Sequence, residues 1–280
     1  GSDGRLVPLS AQRRATPGAL DLLTTPRSDF ALGAETKLVM RGPKGEALVA
    51  GLARFPPPAA GGTAPSGVSL ALRAADATGQ TVTSAARDSL VAPAPDGASV
   101  ASWSLLLKPG RYTVTVAGLV PETARGSTSA LDVEVPDFSG KALAASPLVL
   151  YPDEPEAAGG ANARDPYAAM LLGPQRLRPR FGNLFAPTDA LMVVATLHGA
   201  RVDAGTGQAG LRSRFSILKD GKPVARGAED AFTTPDAVAS VGPIPLSTYA
   251  PGAYVVRLDV TDAVASQTLR QEVPFEIRQP

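Results

Sequence analysis

A Pro-Gly-x-Tyr step that opens a strand occurs twice in this chain, at Pro109-Gly110-Arg111-Tyr112 and at Pro251-Gly252-Ala253-Tyr254. Proline presets φ for a turn and glycine takes the positive φ that a Cβ forbids, so a strand can begin at once. After each step apolar residues fall at every second position: Tyr112, Val114 and Val116 in one copy, Tyr254, Val256, Leu258 and Val260 in the other. That period belongs to a β-strand with one buried face. The opposite face carries Arg111, Thr113 and Thr115, or Arg257 and Asp259, which suits water. Another strand follows each copy, with Leu131, Val133 and Val135 in the first and Val273, Phe275 and Ile277 in the second. One offset, 142 residues, carries Pro109 to Pro251 and Val133 to Phe275. Two copies of one β unit are the simplest reading.

A Tyr at the start of a strand near the end of an antiparallel domain is similar to the tyrosine corner of immunoglobulin-like sandwiches. There the hydroxyl bonds to backbone at a corner between sheets while the ring packs in the core. Tyr112 and Tyr254 are therefore expected to be structural corners. At 280 residues the chain fits two such sandwiches, of about 100 to 150 residues each. The expected fold is all-β, with two tandem immunoglobulin- or fibronectin-like antiparallel β-sandwich domains. Residues 1–18 read as an extended lead-in, 19–138 as the first sandwich and 139–280 as the second, with a long loop at 152–166.

Composition narrows the function classes. The 27 basic and 26 acidic residues balance, so no whole-chain field points to nucleic acid. There is no cysteine, which excludes disulfides, thiol catalysis and cysteine-ligated metals. No stretch is apolar enough over 18 or more residues to span a bilayer. Gly1-Ser2 reads as the scar of a cleaved tag, so the lack of an export signal carries no weight.

Along the chain, Ala19 to Phe30 holds Leu20, Leu22 and Leu23 before Pro26, and its brevity favours a strand or turn over a helix. Runs at 31–40 and 47–55 flank Gly42-Pro43-Lys44-Gly45 as a hairpin, and 68–72 with 81–83 form a second. Residues 84–97 are polar and read as a crossing between sheets, and Trp103 is expected in the first core beside Tyr112. The loop at 152–166 carries Asp153, Glu154, Glu156 and Asp165 without the ligand order of a calcium loop, so a solvated loop is expected. Arg176, Arg178 and Arg180 alternate with Leu177, Pro179 and Phe181. Three arginines on one strand face suit a partner's carboxylates or other anions, which makes them the candidate partner-binding residues. The competing reading is a solvated edge strand protected by its charges. Residues 190–197 form a strongly apolar strand, expected to be central, and His198 caps it as the sole histidine. Asp220-Gly221 joins 211–218 to 222–225 as a hairpin.

The catalytic motifs of serine hydrolases, phosphate-binding loops and zinc helices are missing from the sequence. Catalytic, cofactor-binding and metal-binding residues are accordingly expected to be none, and the chain is expected not to be an enzyme.

The chain also resembles the region that follows the A-like domain in large von Willebrand factor A-related exported proteins of Acidobacteria and similar bacteria. The residues that carry this are Ala19-Leu20 through Thr25-Pro26-Arg27-Ser28-Asp29-Phe30, the hairpin Gly42-Pro43-Lys44-Gly45-Glu46, Leu106-Leu107-Lys108-Pro109-Gly110-Arg111-Tyr112, and Ala250-Pro251-Gly252-Ala253-Tyr254 to Val273-Pro274-Phe275-Glu276-Ile277. The resemblance implies a tandem sandwich in an extracytoplasmic setting: periplasmic, cell-surface or secreted. The metal-binding Asp-x-Ser-x-Ser pattern of the A domain is not in this chain, so metal-dependent adhesion does not carry over. The expected role is a non-catalytic structural or protein–protein interaction module in adhesion or assembly. Its partner would be another envelope protein or other domains of its own full-length chain, without nucleic acid. The alternative is a carbohydrate-binding accessory module of a larger secreted enzyme, which requires exposed aromatics, with Tyr151, Tyr167 and Phe185 as candidates.

Overall fold

The computed structural model describes residues 18–139, 142–154 and 165–279, so nearly all of the expected lead-in lies outside the described residues. A short helix, α1 (Asp21–Thr24), precedes β1 (Gly33–Arg41), β2 (Ala47–Phe55), β3 (Gly67–Asp76) and β4 (Thr81–Leu90). β5 (Ala92–Pro93), β6 (Ser99–Leu107), β7 (Gly110–Val120) and β8 (Arg125–Val135) complete the first half. The second half contains β9 (Ala144–Ala145), β10 (Val149–Pro152), β11 (Leu171–Leu172), β12 (Gln175–Arg176) and β13 (Leu184–Phe185). β14 (Ala190–His198), β15 (Leu211–Lys219), β16 (Lys222–Phe232), β17 (Ala237–Pro245), β18 (Gly252–Asp262) and β19 (Gln267–Ile277) follow.

The duplication read from the turns extends to topology. In the first sandwich a β1-β2-β6-β5 sheet faces a β4-β3-β7-β8 sheet. In the second, β10-β14-β17 faces β16-β15-β18-β19, with β13 added beside β19. Antiparallel hairpins joined by crossings between two sheets are the arrangement of immunoglobulin- and fibronectin-like sandwiches. The copies share register as well as order: Tyr112 lies opposite Val133 as Tyr254 lies opposite Phe275. Between the first pair of sheets pack Val39, Val49, Phe55, Leu72, Trp103 and Val116. Between the second pack Leu150, Val193, Phe215, Tyr254, Leu258 and Phe275. Trp103 is fully buried, and Gly51 makes the room, because a Cβ there would sit 2.2 Å from the indole Cζ2. β14 is central, between β10 and β17, as its apolar run predicts.

A third apolar cluster joins the halves. Leu38, Ala50 and Leu52 point to the opposite side of β1 and β2 from the first core, and Val149, Tyr151 and Val194 do the same in β10 and β14. Met170 and Leu177, from the segment between β10 and β13, fill the space among them. The corresponding sheets of the two sandwiches thus turn their outer faces toward one another, and four sheets stack with three layers of apolar side chains between them.

The structure corrects several expectations. Asp21–Thr24 is helical, because Leu22 and Leu23 dock on Ala71, Ala117 and Leu119, the outer face of β3 and β7. Tertiary packing overrides the weak propensity of so short a helix. Ser84–Leu90 belongs to β4 and does not cross between sheets; its polar side chains are those of an edge strand that water wets. The segment with Arg176, Arg178 and Arg180 is not a strand beyond β12, which ends at Arg176.

Candidate interaction surfaces

Both corner tyrosines make the expected bond. The Tyr112 hydroxyl donates to the Lys108 carbonyl at 3.0 Å and the Tyr254 hydroxyl to the Ala250 carbonyl at 2.7 Å, each four residues back. Gly110 (φ 150°) and Gly252 (φ 138°) supply the backbone conformation the step needs. The rings differ in setting. Tyr254 is 4% exposed, stacks on Phe275 at 5.4 Å and meets Tyr249 edge-on at 5.7 Å. The Lys219 ammonium lies 5.0 Å from its ring centre and donates to its hydroxyl at 3.3 Å. Tyr112 is half-buried at the rim of a groove of about 430 Å³ lined also by Asp76, Asp132 and Glu134.

The three arginines are brought close but turned inward. Arg176 pairs with Asp165 at 3.0 Å. Arg180 holds Asp189 through two nitrogens at 2.5 and 2.9 Å, reaches Glu154 at 3.1 Å, and lies 5.8 Å from the Phe185 ring centre. Leu177 between them is fully buried in the cluster that joins the halves. Glu154 and Asp165, expected in a solvated loop, are therefore anchors for these arginines; Glu156 lies outside the described residues. Arg178 is half-buried beside Tyr167. Burial, then the nearby Glu154 charge, pushes the Tyr167 hydroxyl up to about 12 against Arg178 and Arg180. Charge alternation in the sequence marks this cluster, but its partners lie too far along the chain to be paired by spacing.

Two polar joints flank the apolar contact between halves. The β1–β2 ladder shifts between Thr36 and Leu38, which makes Lys37 the extra residue of a bulge and re-aims its side chain. Its ammonium meets Glu35 at 2.9 Å and donates to the Asn183 side-chain carbonyl at 2.6 Å. Glu35 accepts from the Gly182 backbone N–H at 3.0 Å, and the Asn183 amide donates to the Pro274 carbonyl at 3.0 Å. Burial raises the Glu35 pKa against Lys37, and burial lowers that of Lys37 against Glu35. At the second joint Arg41 donates to the Phe138 carbonyl at 2.9 Å and pairs with Asp236 at 2.7 Å. His198, at the end of β14 as expected, lies 3.4 Å from Asp236 and edge-on to Phe138 at 5.1 Å. Burial, then the Arg41 cation, lowers the His198 pKa against the pull of Asp236. Neither joint was anticipated from sequence; the signal for the first was an ionic pair, Glu35 and Lys37, leading into an apolar strand.

The outermost sheets have unlike outer faces. That of β3 and β7 is apolar under α1. That of the β15-β18-β19 sheet is a ladder of ion pairs: Arg212 and Arg214 share Glu229 at 3.3 and 3.2 Å, Arg257 meets Glu272 at 2.6 Å and Arg270 meets Asp259 at 2.7 Å. A groove of about 250 Å³ runs along it, with Arg226 and Thr261 in its wall. Among the described residues no cluster of three His, Asp or Glu side chains is placed to hold a metal, and no helix is long and apolar enough to cross a membrane. Of the aromatics named for sugar stacking, Tyr151 and Phe185 are buried, and Tyr167 packs on the cluster between the halves.

No family model matches this sequence, and no curated protein matches it. Among solved structures the chain is similar to the tetra-tandem repeat in the extending region of a large adhesion protein, at 12% identity and a TM-score of 0.27. The overlap covers 90% of this chain and 51% of that one, so the chain spans about half the length of that structure, a likeness too slight to bear on what it does.

Proposed function

We propose that this chain is a non-catalytic structural or protein-binding module that works outside the cytoplasm in adhesion or assembly. The observation that carries the reading is the three-core stack. Apolar layers between four sheets build a stiff block whose ionic side chains at the joints are spent on holding its halves together. What such a block has left to offer a partner is its outer charged face and its strand edges, surfaces that recognise protein through main-chain bonds and complementary charge. The extracytoplasmic setting rests on the resemblance to von Willebrand factor A-related exported proteins. The candidates for sugar stacking are packed inside, so the carbohydrate reading has no observation in its favour.

The test is capture from a cell-envelope extract on the immobilised full chain, alongside a hydrolase panel and a glycan array. The expected result is a saturable protein partner that elutes with salt. Turnover of a substrate, or glycan binding without a protein partner, would overturn the reading.

A further inference from the structure

We propose that β4 is the docking edge for a second copy of this chain, pairing antiparallel with the partner's β4 about an axis through Ala86. The proposal rests on the reading of the chain as a protein-binding module and names the edge and the partner.

An exposed strand edge is a template for another strand unless something covers or spoils it. The two outermost sheets allow a comparison within one molecule, because their strand orders correspond. The β8 edge is covered over 126–128, where Thr128 N–H donates to the Arg27 carbonyl and Asp29 N–H to the Gly126 carbonyl, each at 3.2 Å, and beyond that run it carries Asp132 and Glu134. The β19 edge is covered by β13 in parallel pairing only at Glu276 and Ile277, and ahead of that it is spoiled by Arg270, Glu272 and Pro274. β16, the counterpart of β4, is spoiled by Pro223 and Gly227, by register shifts at Arg214/Ser216 and Ile217/Leu218, and by Lys222, Arg226, Glu229 and Asp230. β4 carries no proline, glycine or lysine, and Thr81-Val82-Thr83-Ser84-Ala85-Ala86 is uncharged. Val82 and Leu90 are 48% and 41% exposed. Its one register shift lies beside Ala74/Ala75, and from Thr83 to Leu90 its ladder with β3 is regular.

The sequence of that regular run selects a register. A two-fold axis normal to the sheet keeps each face on its own side, and opposed residues share a face, so the axis must pass through a residue. An axis at Arg87 or Asp88 would set like charges opposite one another. An axis at Ala86 is the next, and the longest overlap that avoids this: Arg87 falls opposite the partner's Ala85, Asp88 opposite its Ser84 and Thr83 opposite its Ser89. Ala86 is exposed and lies across from Ala71 on the outer face, so two alanines meeting at the axis fit without a clash. The product is one continuous sheet running from β8 of one copy to β8 of the other.

The chain has no cysteine, so a single introduced thiol reports one position. Light scattering on the full chain across a concentration series should show a monomer–dimer equilibrium. Under mild oxidation Ala86→Cys should form a disulfide dimer, while Ser84→Cys, four residues from its own copy in this register, should not. Ala86→Lys should shift the chain to monomer with unchanged circular dichroism and melting temperature. A mass of one chain at every concentration, equal cross-linking at both positions, or a dimer that Ala86→Lys leaves intact would each overturn the proposal. An Ala86→Lys monomer that still captures an envelope protein upholds both this pairing and the module reading. A wild-type dimer that captures nothing, with Ala86→Cys cross-linking as expected, upholds the β4 pairing and counts against the partner.

Discussion

Tyr254 and Tyr112 make the same hydroxyl bond four residues back, but only Tyr254 has its ring sealed between Phe275, Tyr249 and Lys219. The hydroxyl and the ring can therefore be separated by substitution. Tyr254→Phe should cost about 1 kcal/mol, the usual net worth of a hydrogen bond, and Tyr254→Ala about 3 to 5 kcal/mol through lost core volume. Tyr112→Ala should cost less than Tyr254→Ala, since its half-buried ring leaves a smaller void. Urea unfolding of the variants checks this; equal losses from Tyr254→Phe and Tyr254→Ala would contradict the packing. His198 offers a pH signature. Its folded pKa is lowered from 6.5, so the unfolded chain binds the proton first and stability is lost as pH falls below 6.5 toward the folded value. Glu35, raised from 4.5, works in the opposite sense, favouring the fold as pH falls toward 4.5. The clean measurement is therefore the difference between wild type and His198→Gln in unfolding free energy from pH 7.5 to 5. The wild type should lose more than the variant over that interval.

Among the elements, the bulge in β1 does the most with the fewest residues. It places Lys37 in a buried pair with Glu35 that also reaches Asn183. Removing one partner leaves an uncompensated charge, so Lys37→Met should cost about 3 to 5 kcal/mol. The double variant Glu35→Gln with Lys37→Met should return to within about 1 kcal/mol of wild type, because the ionic pair repays little more than its own desolvation. Thermal melts of the two variants decide it, and a double variant as unstable as the single would show that the pair itself stabilises. The elements themselves were largely legible in the sequence. Alternation at 112–116 and 254–260 and the turns at 42–45 and 220–221 mark strands and hairpins because a sandwich strand buries one face and its turn needs glycine. Less legible were elements whose form is set from elsewhere. Leu22 and Leu23 turn helical to reach β3 and β7. Arg176 closes the two-residue β12 and Arg180 lies outside any strand, where they meet Asp165, Asp189 and Glu154.

At the scale of the whole molecule, the stack was hidden in a pattern that the strands do contain. Ala47–Phe55 and Ala190–His198 are apolar on both phases, which is the mark of a strand covered on both faces. The inner phase faces each sandwich core, and the outer phase of β2 and β14 meets in the shared cluster with Leu177 and Met170. Two sandwiches joined this way should not behave as beads on a flexible string. The first half alone would expose Leu38, Met40 and Leu52, an apolar patch of the kind that drives association. Expressed separately, the halves should bind hydrophobic dye and aggregate; expressed together, they should co-purify. Leu52→Asp, which forces a carboxylate into a position that is fully buried, should abolish co-purification and split the calorimetric unfolding of the intact chain from one transition into two. Halves that stay monomeric apart, with unfolding enthalpies that add up to that of the intact chain, would mean the shared cluster contributes nothing. The rigidity on which the module reading depends would then be lost with it, because a partner bound at β4 could no longer be held at a set distance from the charged face of the second sandwich.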